Sequence, residues 1–162
     1  MSSMIRAAIV TVSDSCSWGE REDVSGRTIE EMLPPGRFTV TGRSVVPDDR
    51  DGIAAELVRL ADDGEIELVL TTGGTGFGPR DVTPEATASV CSRMVPGFGE
   101  LMRLEGFKKT PFAVLSRGVA GIRGSTLMVN LPGSPKAVRE CLEVILDLLP
   151  HAVEMLRGGG HE

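Results

Sequence analysis

The sequence predicts an α/β fold: a single three-layer domain built on a mostly parallel sheet with helices on both faces. Three observations support this. Apolar strand patterns alternate with amphipathic helix patterns along the chain, which implies βα units and a parallel sheet. At 162 residues the chain suits one domain with a sizeable core. Glycine and small polar residues cluster just after strand patterns, where ligands gather in such folds.

Taken in order, Ile5–Val12 reads as a continuous apolar strand ending in Ser13-Asp14. Ser25 can cap a helix through Leu33, with Ile29, Met32 and Leu33 on one face, and Pro34-Pro35-Gly36 stops it. Phe38–Val46 reads as a strand ending at Pro47-Asp48-Asp49. Asp51 is placed to cap the next helix, where Ile53, Leu57, Leu60 and Ala61 keep helical spacing. Glu67–Leu70 is a strand, followed by a glycine loop and a helix from Thr83 with Pro84 at its start. Phe98, Leu101, Met102 and Glu105 predict a short helix. Phe112–Leu115 and Thr126–Leu131 predict strands. Pro132-Gly133-Ser134-Pro135 opens the last helix, with Val138, Cys141, Leu142, Ile145 and Leu149 in register. Pro150 interrupts that helix, and Gly158-Gly159-Gly160 marks a tail. The expected domain is therefore 1–157, with 158–162 as a flexible tail.

The glycine loop is the most informative stretch. Residues 68–87 read LVLTTGGTGFGPRDVTPEAT, with four glycines between Gly73 and Gly78. An apolar strand, a backbone rich in N–H donors and a helix start form an arrangement that binds anions. Pro79 excludes a P-loop, which needs Lys-Ser/Thr there, and a dinucleotide fingerprint, which needs glycine. Thr71, Thr72, Thr75, Arg80 and Asp81 crowd polar groups into this turn, and Asp81 adds a carboxylate suited to a metal-assisted phosphate site. A plain strand-to-helix turn would need the glycines only for positive φ.

Four polar clusters are expected to meet on one sheet edge: Ser13-Asp14, Pro47-Asp48-Asp49, Thr71–Asp81 and Asn130–Lys136. The net charge is −6 and no basic run exceeds Lys108-Lys109, which argues against nucleic acid as a partner. No apolar run approaches the roughly 18 residues of a membrane span, and no signal peptide is apparent. Cys16, Cys91 and Cys141 are odd in number and widely spaced, and with only His151 and His161 a zinc site lacks ligands. Reduced thiols and a cytoplasmic location are expected, with Cys141 in the core and Cys16 in a polar loop.

The segments LTTGGTGFGPRDVTPEAT, LSRGVAGIRGSTLMVNLPGSPKAV and VPGFGELMR resemble the molybdopterin adenylyltransferase family, the MogA-type enzymes of molybdenum cofactor synthesis. The likeness runs from Ser13-Asp14 to Leu156. It implies a trimeric α/β protein that binds molybdopterin and, with Mg²⁺ and ATP, yields adenylylated molybdopterin and pyrophosphate. A molybdenum-insertase partner is also implied.

On that resemblance, Asp48 and Asp81 match positions tied to metal and catalysis. Nucleotidyl transfer needs phosphate charge neutralised and reacting oxygens aligned, and Mg²⁺ commonly does this with one or two carboxylates. Locally, the plainer alternatives are a turn residue for Asp48 and a charge at a helix start for Asp81. Thr72, Thr75 and the N–H groups of Gly73, Gly74 and Gly76 would hold a phosphate of the pterin or of ATP. Ser13 and Asp14 resemble a pair near the nucleotide, although an Asx-type turn would suit them too. Arg80 could supply a cation to the phosphates. Ser116 and Arg117 belong to the LSR motif at an expected strand end, Asn130 resembles a pterin-side residue, and Pro132, Gly133 and Lys136 belong to LPGSPK. Lys136 in a first helical turn opposes the dipole, so a bound anion would account for it. Gly106 stands where relatives often carry a serine on the pterin side, and restoring it is expected to leave pterin binding unchanged or tighten it modestly. The main alternative is a MoaB-type non-catalytic pterin-binding or scaffold trimer; a structural trimer without ligand would leave the polar clusters unexplained.

Overall fold

Successive residues of the first strand, β1 (Ile5–Val12), feed two different cores. Ile5, Ala7 and Ile9 enter one, and Ala8, Val10 and Val12 enter the other. That alternation is the strand's two-residue period, and burial of both faces explains why β1 is apolar throughout. The computed structural model describes residues 3–159. After β1 come α1 (Asp14–Ser17), α2 (Val24–Met32), β2 (Phe38–Val46), α3 (Arg50–Asp62), β3 (Leu68–Thr72) and α4 (Thr83–Val90). The second half holds β4 (Arg93–Met94), α5 (Pro96–Phe107), a 3-10 turn (Pro111–Leu115), β5 (Ala120–Arg123), β6 (Thr126–Leu131), α6 (Pro135–Ile145), a 3-10 turn (Leu146–Leu148) and α7 (Leu149–Leu156).

The sheet order is β2-β1-β3-β6-β5-β4. The first four strands are parallel, and β5 and β4 add an antiparallel edge. Residues from α2, α5, α6 and α7 pack on one face with Leu68, Leu70, Leu127 and Val129; α3 and α4 cover the other with Val69 and Met128. The fully buried Ile29, Ile53, Leu57 and Leu142 anchor these helices. Each such side chain contributes about 1.5–3 kcal/mol through burial.

The three-layer α/β architecture matches the sequence expectation, and several local assignments change. Asp23, not Ser25, caps α2 by accepting from the Gly26 N–H, and Asp49, not Asp51, caps α3 by accepting from Gly52. Helix α5 runs for 12 residues. The strand expected at 112–115 is a 3-10 turn instead: Pro111 occupies its start, Thr110 caps it, and Phe112, Val114 and Leu115 are exposed. The sequence reading misses two strands: the short edge strand β4, and β5, which is joined to β6 by a two-residue hairpin with Gly124 at φ 58°. The Arg-Gly-Ser-Thr run is its turn signal. Pro150 does interrupt the last helix, which breaks into α6, a 3-10 turn and α7. Gly158 and Gly159 donate back to Met155 and Glu154 carbonyls at 3.0 and 3.1 Å; residues 160–162 of the expected tail lie outside the described residues.

Candidate functional site

The register places the strand ends level. Val12 pairs with Val46, Thr11 with Thr72, and Thr72 with Leu131. The four polar clusters therefore share one edge. From β1 the chain moves outward to β2, and from β3 it moves the other way to β6, so the crevice between β1 and β3 is a topological switch point.

Glycine is required where the strand ends meet. Gly73, at φ 100°, lies against the Val12 carbonyl, which a Cβ would strike. Gly74, at φ 72°, lies against Thr83 Oγ1, and a Cβ there would stand 3.3 Å from Asp48 Oδ1. Thr83, the first residue of α4, holds both carbonyls of this pair: its Oγ1 donates to Gly73 O at 2.9 Å and its N–H to Gly74 O at 3.1 Å. The Gly73 N–H, expected to face a phosphate, donates to Leu131 O at 3.2 Å. The N–H groups of Gly74 and Gly76 have no protein acceptor among the described residues.

Asp14 and Asp48 form a reciprocal pair. The Asp14 N–H donates to Asp48 Oδ2, and the Asp48 N–H to Asp14 Oδ1, both at 2.9 Å. Arg80 grips Asp14 with two donors, at 2.7 and 3.0 Å, so its guanidinium is already paired with a carboxylate. The Arg80 hydrogen bond, with help from the Asp48 N–H, holds the Asp14 carboxyl below its ordinary range. Asp48 shifts the opposite way, because burial and the charges of Asp14 and Asp81 disfavour its ionised form. Asp81 accepts from the Gly78 N–H at 2.9 Å. Its Oδ2 fills space that a Cβ on Gly76 or Gly78 would need, at 2.9 and 3.0 Å.

Two cavities flank this centre. A cleft of about 530 Å³ is bordered by Ser13, Asp48, Thr72, Gly73, Gly74 and Gly133, together with Thr11, Asp23 and Ser25. A second, of about 380 Å³ and mostly apolar, lies between α5, the 3-10 turn and α6, bordered by Gly106, Ser116, Asn130 and Pro132. The Pro132–Gly133 turn separates them. Two hydroxyls hold its carbonyls: Thr72 donates to Pro132 O and Ser25 to Gly133 O, each at 2.6 Å. The chain has three lysines. Lys108 and Lys109 border the second cavity, and Lys136 precedes Ala137, another bordering residue.

Other sequence candidates take supporting positions. Thr75 is buried and its carbonyl accepts from the Arg117 N–H. Ser116 follows a 3-10 turn, not a strand. Arg117 bonds the glycine loop and Glu85. Asn130 is buried; its amide donates to Thr71 and Thr87 hydroxyls at 3.0 Å and accepts from the Val119 N–H at 3.1 Å, so both of its donors are used inside the protein. Cys141, expected in the core, is half-buried against it and borders the second cavity, and burial pushes its thiol up to about 11. Thr11, Asp23 and Glu85 are not singled out by the sequence, and Ser25 reads there only as a helix cap, because their site partners are distant along the chain.

The model of the family described as "Probable molybdopterin binding domain" matches residues 8–151. The chain belongs to this family. Within the molybdopterin-binding family, it is 45% identical over 159 residues to the molybdopterin adenylyltransferase of Helicobacter pylori strain J99, covering 95% of this chain and 89% of that one. The Escherichia coli K12 protein of the same name is 38% identical over 168 residues, covering 95% and 86%. The crystal structure of the molybdopterin biosynthesis enzyme MoaB from Thermus thermophilus superimposes with a TM-score of 0.91 at 51% identity, covering 98% of this chain and all of that one.

Proposed function

We infer that this protein is a molybdopterin adenylyltransferase, acting in molybdenum cofactor biosynthesis. It transfers the adenylyl group of ATP to molybdopterin and releases pyrophosphate. The observation that carries this reading is the meeting of two cavities at the Pro132–Gly133 turn, with Gly73, Gly74 and Asp48 on the cleft side. One molecule with a pterin and a phosphate end can thus approach a nucleotide bound across that turn. The cleft is bordered by Ser13 and by Gly74, whose N–H has no protein acceptor among the described residues, and it suits ATP phosphates. The apolar second cavity suits the pterin ring, and Lys108 and Lys109 at its border suit an anionic ligand in a chain of net charge −6. A non-catalytic MoaB-type role is not favoured, since the relatives from Helicobacter pylori and Escherichia coli are named for the transferase.

Asp48 and Asp81 would hold Mg²⁺. Among the described residues no three His, Cys, Asp or Glu side chains group as a metal cluster. Two carboxylates completed by phosphate oxygens and water fit the habits of Mg²⁺. The raised pKa of Asp48 fits as well, because a cation would relieve the repulsion it meets from Asp14 and Asp81. When bound, Mg²⁺ supplies charge neutralisation on the phosphates. The chain's own part is to orient: Arg80 and the Asp48 N–H fix Asp14, Asp14 in turn fixes Asp48, and the glycine loop carries Asp81.

The reading extends to a homotrimer in the cytoplasm that passes product to a molybdenum-inserting partner. Leu104, Phe107, Phe112, Val114 and Leu115 are exposed on α5 and the 3-10 turn packed beside it. Exposed apolar surface of that kind is what a contact between subunits would cover, and it supports this reading. Among the described residues no helix is long and apolar enough to cross a membrane. The deciding experiment is incubation with molybdopterin and ATP, with and without Mg²⁺, followed by mass analysis. Adenylylated pterin formed only with Mg²⁺ is expected; binding of both substrates without product would overturn the transferase reading.

A further inference from the structure

We propose that Arg117 is a positioning residue for adenylyl transfer, holding the glycine loop from behind and so setting where the Asp81 carboxylate stands. The proposal rests on the transferase reading above and deepens it. The sequence motif put Arg117 beside the substrate. In the fold, all three of its side-chain nitrogens have protein acceptors. Nε donates to Gly76 O at 2.9 Å, Nη2 to Asp81 O at 2.8 Å, and Nη1 to Glu85 Oε2 at 2.6 Å. Its backbone N–H donates to Thr75 O at 2.9 Å. These bonds fall at the beginning and the end of the segment 75–81.

That segment needs an external hold. It contains Gly76 and Gly78, and glycine backbone is costly to order. Its internal ties are short: Gly78 N–H to Asp81 Oδ2, and Asp81 N–H to Gly78 O at 3.0 Å. The Asp81 carboxylate rests against the bare backbone of both glycines, so it moves wherever that backbone moves. Glu85, in the first turn of α4, balances the guanidinium charge and fixes its plane, and its own pKa is lowered chiefly by the bond from Arg117. A planar fork can serve two carbonyls and a carboxylate at once; a lysine ammonium cannot reproduce that geometry.

The test uses Arg117→Lys and Arg117→Ala, each in the wild-type and Asp81→Asn backgrounds. Adenylylation of molybdopterin is measured, together with hydrogen exchange of the 73–81 amides without nucleotide or metal. In the wild-type background kcat should fall by about 10–10²-fold, the scale of loss from a misplaced reacting group, with little change in KM for ATP. In the Asp81→Asn background the same substitutions should change kcat less than about twofold, since residues acting through one another are not additive. Exchange should rise in 73–81 and remain unchanged in α2 and α6. Equal losses in both backgrounds, or wild-type exchange in the loop, would overturn the proposal. Glu85→Gln keeps the carbonyl bonds and should give a smaller loss with the same dependence on Asp81, which covers the case where Arg117→Ala does not fold. If the wild-type protein makes no adenylylated pterin, the transferase reading fails by itself. Loop exchange in Arg117→Lys then decides the clamp: faster exchange keeps it, unchanged exchange removes it.

Discussion

Asp14 and Asp48 hold each other's backbone: each N–H donates to the other's carboxylate at 2.9 Å, tying the end of β1 to the end of β2. Neither carboxylate is thereby neutralised, and Arg80 is engaged on the Asp14 side. Asp48 is left the less compensated of the two, half-buried and facing the cleft with Gly74 beside it.

Asp48→Asn keeps an acceptor for the Asp14 N–H and removes the charge. Folding should survive, and turnover should fall by at least about 10²-fold, the loss seen when one electrostatic stabiliser is removed. Circular dichroism and adenylylation on the same preparation check this. Full turnover would reduce Asp48 to a turn residue.

Asp81→Asn poses the same question with a different background risk. Asparagine can still accept from the Gly78 N–H, so stability should change by no more than about 1 kcal/mol. Turnover should again fall by about 10²-fold, with pterin binding retained. Lowered stability with near-normal turnover would make Asp81 a structural loop residue.

The family resemblance predicts Gly106→Ser to be neutral or helpful to pterin binding, and the structure adds a cost in packing. A Cβ on Gly106 would stand 2.7 Å from Ala113 Cβ, so α5 and the 3-10 turn must separate to admit it. Gly106 is not among the glycines of positive φ, so the obstacle is packing and not backbone conformation. Overpacking should cost about 1–3 kcal/mol in urea unfolding. Ala113→Gly in the same chain should recover most of it, and failure to recover would locate the strain elsewhere.

Glu67 makes stability depend on pH. Arg157 donates to Oε1 at 2.8 Å, and that bonding holds the nearly buried carboxyl below its ordinary 4.5. A depressed folded-state pKa adds stability above the unfolded value, and the gain is lost as pH falls through the folded one. Wild type should exceed Glu67→Gln by on the order of 1–3 kcal/mol near pH 7, with the gap closing below about pH 4. A gap independent of pH would assign the effect to packing.

Sedimentation with and without reductant should give one trimer mass, because the three cysteines are free. Phe112→Glu should shift the protein toward monomer at little cost to its fold, since Phe112 is 74% exposed. A wild-type monomer would remove the proposed interface.

The sequence by itself determined the α/β class, the four parallel strands and the glycine loop, because apolar runs and turn residues act locally. It also marked Asp48, Asp81 and the LPGSPK turn, and it carried the family likeness. It misjudged 112–115, where exposure and Pro111 override β propensity, and passed over β4, which is two residues long, and β5, whose only local mark is the Gly124-Ser125 turn. Only the tertiary structure decided which polar groups remain available. Asn130 and Arg117 belong to family motifs in sequence, and in the fold their side-chain N–H groups are held by Thr71, Thr87, Gly76, Asp81 and Glu85. The physical reason is distance: those partners lie 32 to 59 residues away along the chain, and hydrogen-bond occupancy depends on what folding brings within about 3 Å.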